Sequence, residues 1–262
     1  MAATGVAAPR PVPQRAASVA VGCALGLTVL LTAAASLEPL LFRLVAGVSV
    51  TCLLGAIALR DAREGLLATM AYLLFVAEIR RLLIPLTGWS PADPLLLAGP
   101  MVLALLITTI YFVGRRSPVL RDDRMSQMLA GLTVLGLLSI VNPLALGIAS
   151  GIGGLFYWGP PIAWYFVGRA VVDDTVFERL IQLLVWCGTA IAVYGLSQGF
   201  IGHTPWDATW YQTAASLSLR VDDSVKPVGT FSSSFEYSTM LAAALCAATA
   251  MRLRGHRAMV LP

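Results

Sequence analysis

Four arginines and a lysine carry the sharpest chemical signal in this sequence. Arg80 and Arg81 follow Glu78 inside an otherwise apolar run. A charge near the centre of a bilayer costs about 2.5–3.5 kcal/mol on insertion scales, so such residues need a partner or a wet cavity. Glu78 and Arg81 are three apart and share a helix face, so they can pair. Arg80 points elsewhere and is left without that partner. Arg43 lies near the outer end of the preceding apolar run, on the same side, and Arg220 and Lys226 lie in a long polar segment. Together they make a basic cluster. A guanidinium fork suits phosphate or pyrophosphate by paired hydrogen bonds. The functional reading of Arg43, Arg80, Arg81, Arg220 and Lys226 is therefore a site for an anionic lipid-linked substrate, with Glu78 in support. The plainer reading is snorkelling, in which Arg43, Arg80 and Arg81 reach up to ordinary lipid phosphates.

Other candidates are weaker. His203 and Asp207 could act as acid or base, but nothing in the sequence fixes their geometry. Asp122-Asp123, Asp173-Asp174 and Asp222-Asp223 could hold Mg²⁺ near a phosphate, although such pairs more often make solvated, charge-balanced loops. Cys23, Cys52, Cys187 and Cys246 all fall in apolar runs without metal-site spacing and read as small buried hydrophobes. Only two histidines exist, so no metal and no cofactor is expected. No Walker motif or nucleotide fingerprint is present, which argues against energy coupling by nucleotide hydrolysis within the chain.

The elements that must position these residues are apolar. The chain is 58% hydrophobic and 12% charged, with a mean hydropathy of +0.79. That leaves too few polar groups to cover a soluble domain. Runs of about 20 apolar residues, enough to cross a roughly 30 Å hydrocarbon core, fall near 16–36, 40–59, 66–87, 94–113, 125–143, 154–172, 179–200 and 235–252. Backbone groups in lipid must be satisfied within the segment, and the runs lack the alternation of a barrel. The expected fold is an all-α bundle of about eight transmembrane helices, with the lipid bilayer as its first partner.

Arg and Lys set the orientation. Arg10 and Arg15, Arg60 and Arg63, Arg115, Arg116, Arg121 and Arg124, Arg169 and Arg179, and Arg252, Arg254 and Arg257 fall in every second inter-span segment, all on one side of the spans. This puts the N-terminus in the cytoplasm, with residues 1–15 as a short disordered tail. The formal net charge of +4 follows from those loops and does not imply nucleic acid. A cleaved signal peptide is the alternative for the first run, which is longer than a usual signal core.

Three outer features break the plain pattern. Asn142-Pro143 opens a Gly- and Pro-dense stretch to Pro161, which predicts a bent or partly re-entrant start to the sixth span. Residues 201–234 form the longest loop, where Trp206, Trp210, Ala214 and Leu217 at helical spacing predict a short helix on the outer membrane face. After the eighth run, a basic segment and a new apolar start suggest that the chain stops before its architecture is complete.

Tyr194-Gly195-Leu196-Ser197-Gln198-Gly199-Phe200, then Trp206-Asp207 and Trp210, and Lys226-Pro227-Val228-Gly229-Thr230-Phe231-Ser232 leading to Phe235-Glu236-Tyr237 resemble the O-antigen ligase and O-antigen polymerase superfamily of bacterial envelope proteins. Arg80-Arg81 and the Asn142-Pro143 turn fit the same picture, and the resemblance covers roughly 70–260. It implies a multi-pass glycosyltransferase of the bacterial inner (plasma) membrane, acting in polysaccharide biosynthesis on glycans carried by undecaprenyl pyrophosphate. It further implies that outer arginines hold the pyrophosphate, a role carried most naturally by Arg80, Arg81, Arg220 and Lys226, with Gly229 and Asn142 as structural support. At Lys226 the family more often has Arg. Members usually have ten or more spans and a second large outer loop, which in ligases supplies a histidine; this chain stops short of it, so no residue is assigned to catalysis. Two other readings stay open: a transporter or flippase of lipid-linked glycans, and a non-catalytic scaffold among polysaccharide assembly proteins.

Overall fold

The computed structural model describes residue 26 and residues 38–90, 93–113, 123–141, 147–214, 220–221 and 224–254. Its elements are helices α1 (Pro39–Arg60), α2 (Ala62–Leu82), α3 (Ile84–Thr87), α4 (Leu95–Ile107), α5 (Arg124–Ile140), α6 (Ile148–Val171), α7 (Asp174–Phe200), α8 (Pro205–Ala214) and α9 (Ser234–Leu253). A π-helical turn, Thr108–Val113, continues α4. The two-residue strands β1 (Arg220–Val221) and β2 (Ser224–Val225) pair antiparallel before α9.

The fold is all-α, as the apolar runs predict. The expected span at 16–36 and the tail at 1–15 lie outside the described residues. The other seven runs each coincide with a helix. Among the described residues, however, only α1 and α7 are long and apolar enough by themselves to cross a membrane, not eight helices. The reason is visible in the residues. Charges at Glu64, Glu78, Arg80 and Arg81 dilute α2, and α5 is shorter than a full span.

Polar side chains start the helices, among them two of the aspartates weighed as metal ligands. Asp61, Asp123 and Asp173 cap α2, α5 and α7 by accepting backbone N–H groups of Arg63, Met125 and Val176. Asp123 also accepts from the Tyr165 hydroxyl and from Arg169 at 2.7 Å. The Tyr165 hydrogen bond, with the Met125 N–H and Arg169 beside it, holds the Asp123 carboxyl below the usual carboxylate range. Asp122 and Asp222-Asp223 lie outside the described residues.

The expected bent or partly re-entrant start of the sixth span is helical from Ile148. Gly147, at φ +114°, precedes α6, which runs unbroken from Ile148 with Pro160 and Pro161 inside it. Asn142 lies outside the described residues.

The core forms where α1, α2, α4, α6 and the start of α7 meet. Leu54, Leu66, Val102, Leu106, Val167 and Val176 are buried there. α9 packs along α7, and α5 along α6. Many large side chains on the outer faces stay exposed, including Leu132, Leu135 and Leu138 of α5, Val193 and Leu196 of α7, and Leu245 of α9. An apolar exterior of this kind suits lipid rather than water.

The two ends of the bundle carry charge differently. At one end, exposed pairs join neighbouring helices: Arg63–Asp173 at 2.6 Å, Arg179–Glu64 at 2.5 Å and Arg169–Asp123. At the other end the charges are inside.

Candidate functional site

The start of α1, the ends of α2 and α7, the start of α4, helix α8 and the segment 226–230 meet at this second end. Three arginines lie among them, each almost fully removed from solvent: Arg43 is 1% exposed, Arg80 5% and Arg81 1%. They do not snorkel. Each is bonded to protein groups, and together they form two separate clusters.

The first cluster is built on Asp93, whose side chain has no exposed surface. Arg43 pairs with the Asp93 carboxylate, donates from Nε to Thr87 Oγ1 at 2.7 Å, and donates from Nη2 to the Gly88 carbonyl at 2.5 Å. These bonds tie α1 to the turn after α3. Arg80 lies 3.3 Å from the same carboxylate oxygen, donates to the Ser90 carbonyl at 3.1 Å, and sits over the Trp89 ring at 4.8 Å. Asp93 also accepts from the Leu95 N–H with its other oxygen, at 3.1 Å, fixing the start of α4. Two guanidiniums share one carboxylate here, so the cluster carries a formal excess of one positive charge.

The second cluster is built on Arg81. Its Nη2 meets Glu78 Oε2 at 2.6 Å and the Gly229 carbonyl at 2.6 Å, and its Nη1 meets Asp207 Oδ1 at 3.0 Å. The guanidinium lies over the Trp210 ring at 5.1 Å. Gln198 spans the cluster. Its Nε2 donates to Asp207 at 2.9 Å, while its Oε1 accepts from the N–H groups of Val228 and Gly229 at 3.1 and 2.9 Å. The Trp206 indole N–H donates to Glu78 Oε1 at 2.9 Å. Thr230 Oγ1 donates to the Leu74 carbonyl, pinning segment 226–230 to α2. The pairing of Glu78 with Arg81 follows from their spacing. That Arg80 also has an acidic partner does not, because Asp93 comes from another element.

α8 is the short helix expected after the seventh span, but its tryptophans turn toward the protein. Trp210 is 3% exposed and packs with Ile84, Trp89, Tyr211 and Val228. Tyr211 donates its hydroxyl to the Lys226 carbonyl at 3.1 Å, and His203 meets its ring edge-on at 4.7 Å. Burial pushes the Tyr211 phenol up from its ordinary range, against the pull of Arg81. His203 and Asp207 do not form an acid–base pair: Asp207 is bonded to Arg81, Tyr194 and Gln198. Of the remaining basic candidates, Arg220 contributes its backbone to β1 and Lys226 lies beside the second cluster at the start of segment 226–230.

Gly229 is the position where backbone conformation decides the geometry. It sits at φ +55°, and a Cβ there would meet the Tyr237 ring and Ile191. Tyr237 fills the space between Gly229 and Gly195, leaving no room for a side chain on either. Gly229→Ala is expected to destabilise the protein by about 1–3 kcal/mol, from left-handed strain plus the displaced ring. A thermal unfolding shift in detergent checks it; an unchanged midpoint would mean that the segment relaxes freely.

Comparison of the chain with protein-family models, with curated proteins and with solved structures returns no match.

Proposed function

We propose that the chain is a multi-pass protein of the bacterial inner membrane, resembling O-antigen ligases and polymerases. In this reading it binds undecaprenyl-pyrophosphate-linked glycan at the outer face for glycosyl transfer. The helices α1, α2, α4, α5, α6, α7 and α9, with the run at 16–36, would make the eight-span bundle. Pairing Arg80 and Arg81 with acids inside the protein would let the less apolar α2 enter lipid, and the exposed pairs of Arg63, Arg169 and Arg179 would lie at the cytoplasmic end.

One observation carries the reading. Residues from the separate stretches that suggest the family, Tyr194 and Gln198, Trp206, Asp207 and Trp210, and Gly229 and Thr230, gather around Arg81 and its helix. Beside them, the Arg43–Asp93–Arg80 cluster has the positive excess that an anionic headgroup requires. Arg43 makes bonds from all three of its guanidinium nitrogens. Arg80 is therefore the arm for the pyrophosphate, and Arg81 and Arg43 are the frame. The departing pyrophosphate lipid is already activated, so the protein mainly orients two sugars and stabilises charge on the leaving phosphate.

The test is the gel profile of surface and lipid-linked glycans from a strain lacking the gene, complemented with wild type or Arg80→Ala. Loss of long chains with single repeats on the carrier identifies a polymerase; complete polymer stranded on the carrier identifies a ligase. Arg80→Ala should fail to restore the profile at normal membrane abundance, because its loss leaves one guanidinium on one carboxylate and the frame in charge balance. An unchanged profile in the deletion strain would overturn the enzyme reading in favour of a flippase or a scaffold. Normal complementation by Arg80→Ala would remove Arg80 from the site.

A further inference from the structure

Tyr194 stands between two carboxylates. Its hydroxyl oxygen lies 3.1 Å from Glu78 Oε1 and 2.7 Å from Asp207 Oδ2. A phenol has one hydrogen to donate. If both acids were ionised, one of the two short contacts would set lone pair against lone pair.

The charge count gives the same deficit. The titratable and charged groups facing the pair are Glu78 and Arg81 from α2, Tyr194 from α7, Asp207 and Tyr211 from α8, and His203 before α8, with neutral Gln198 and Trp206 completing the shell. Lys226 meets Tyr211 through its carbonyl oxygen. Arg80 is turned away, onto Asp93 and Trp89. Among the described residues, Arg81 is the cation ion-paired with both acids. Two ionised carboxylates on one guanidinium leave a negative charge in a site where Asp207 has no exposed surface. Closely placed acids relieve that by sharing a proton.

We propose that Glu78 and Asp207 hold one proton between them, with Tyr194 as the relay. Asp207, fully enclosed and bonded to Arg81 and Gln198, is the carboxylate. Glu78, whose side chain is 13% exposed, carries the proton and donates it to Tyr194 Oη. Tyr194 donates in turn to Asp207. The three oxygens then form one directed path, Glu78 to Tyr194 to Asp207, from the rim of the site to its interior. The ligand of this site is a proton, stored beside Arg81 and exchangeable with the medium through Glu78. The inference stands apart from the glycan reading and needs no substrate to be tested.

Infrared spectroscopy of the purified full-length chain in lipid nanodiscs reads the proton directly. At neutral pH the wild type should show the C=O stretch of a protonated carboxyl group, shifted in D₂O. Isotopic ¹³C labelling of glutamate side chains should move that band in the unaltered protein, so the assignment does not depend on a variant folding. Glu78→Gln should abolish the band, Tyr194→Phe should shift its frequency, and His203→Asn should leave it in place. Absence of the band in wild type at neutral pH would overturn the proposal. So would a band that survives both Glu78→Gln and Asp207→Asn. An unchanged glycan profile in the deletion strain with the band intact would sink the glycosyl-transfer reading alone.

Discussion

Replacing Asp93 by alanine is expected to cost about 3–5 kcal/mol and to deplete the protein from the membrane. The magnitude follows from what is left behind. Arg43 and Arg80 both use this one carboxylate, and both are almost fully enclosed. Removing it leaves two guanidiniums without a counter-charge, and it also strips the Leu95 N–H of its acceptor at the start of α4. Asp93→Asn keeps an acceptor for Leu95 but not the charge, so it should fall between alanine and wild type. The triple change Arg43→Met, Arg80→Met and Asp93→Leu should recover most of the loss, because an apolar set of similar volume has no charge to desolvate. Detergent-solubilised melting curves order the four proteins. A single Asp93→Ala protein that melts with wild type would show that water or lipid phosphate reaches the arginines after all.

Arg81→Ala is expected to be of similar size, about 3–5 kcal/mol, with a different local signature. It strands Glu78 and Asp207 facing each other, releases the Gly229 carbonyl, and takes the cation from the Trp210 ring. α8 is held to α2 largely through these contacts, so it should loosen before the bundle does. Proteolysis within 205–214 and a red shift of tryptophan emission would report that step. Arg81→Lys should rescue little, because one ammonium cannot reach two carboxylates and a carbonyl in the directions a planar fork reaches them. Protection of α8 equal to wild type in Arg81→Ala would locate its anchorage in the apolar contacts of Trp210 and Tyr211 instead.

The helices were legible because apolar length is a local property. Each of the seven described runs could be read without knowing what it touches, and the boundaries came within a few residues at Pro39–Arg60 and Ser234–Leu253. Glu78 and Arg81 were legible for the same reason, since three residues apart on a helix is a contact. Asp93 and Asp207 as partners were not. Asp93 sits 50 residues beyond Arg43, in a polar turn that looks like any other, and nothing in the sequence fixed the geometry of Asp207. Long-range ion pairs leave no spacing to read. Two signals could have pointed there: an unpaired Arg80 in an apolar run demands an acid from elsewhere, and a Gln in the apolar Leu196–Phe200 stretch demands partners for both ends of its amide. The inward turn of α8 was missed because Trp at helical spacing suits a headgroup layer and a buried contact equally well.

The placement of the Arg81 partners along the chain bears on how the protein is made. With α2 as a span of the proposed bundle, it leaves the ribosome long before α7, α8 and segment 226–230 exist, so Arg81 would enter the bilayer with none of Asp207, Gly229 or Trp210 at hand. Glu78 is the only one of its partners already synthesised, one helical turn earlier on the same face. In biogenesis, then, Glu78 acts as an escort, lowering the charge that α2 presents to the insertion machinery until the later helices arrive. Arg80 has no such companion and waits only for Asp93, which emerges with the next segment. Arg43, which pairs with the same Asp93 fifty residues later, waits longer still.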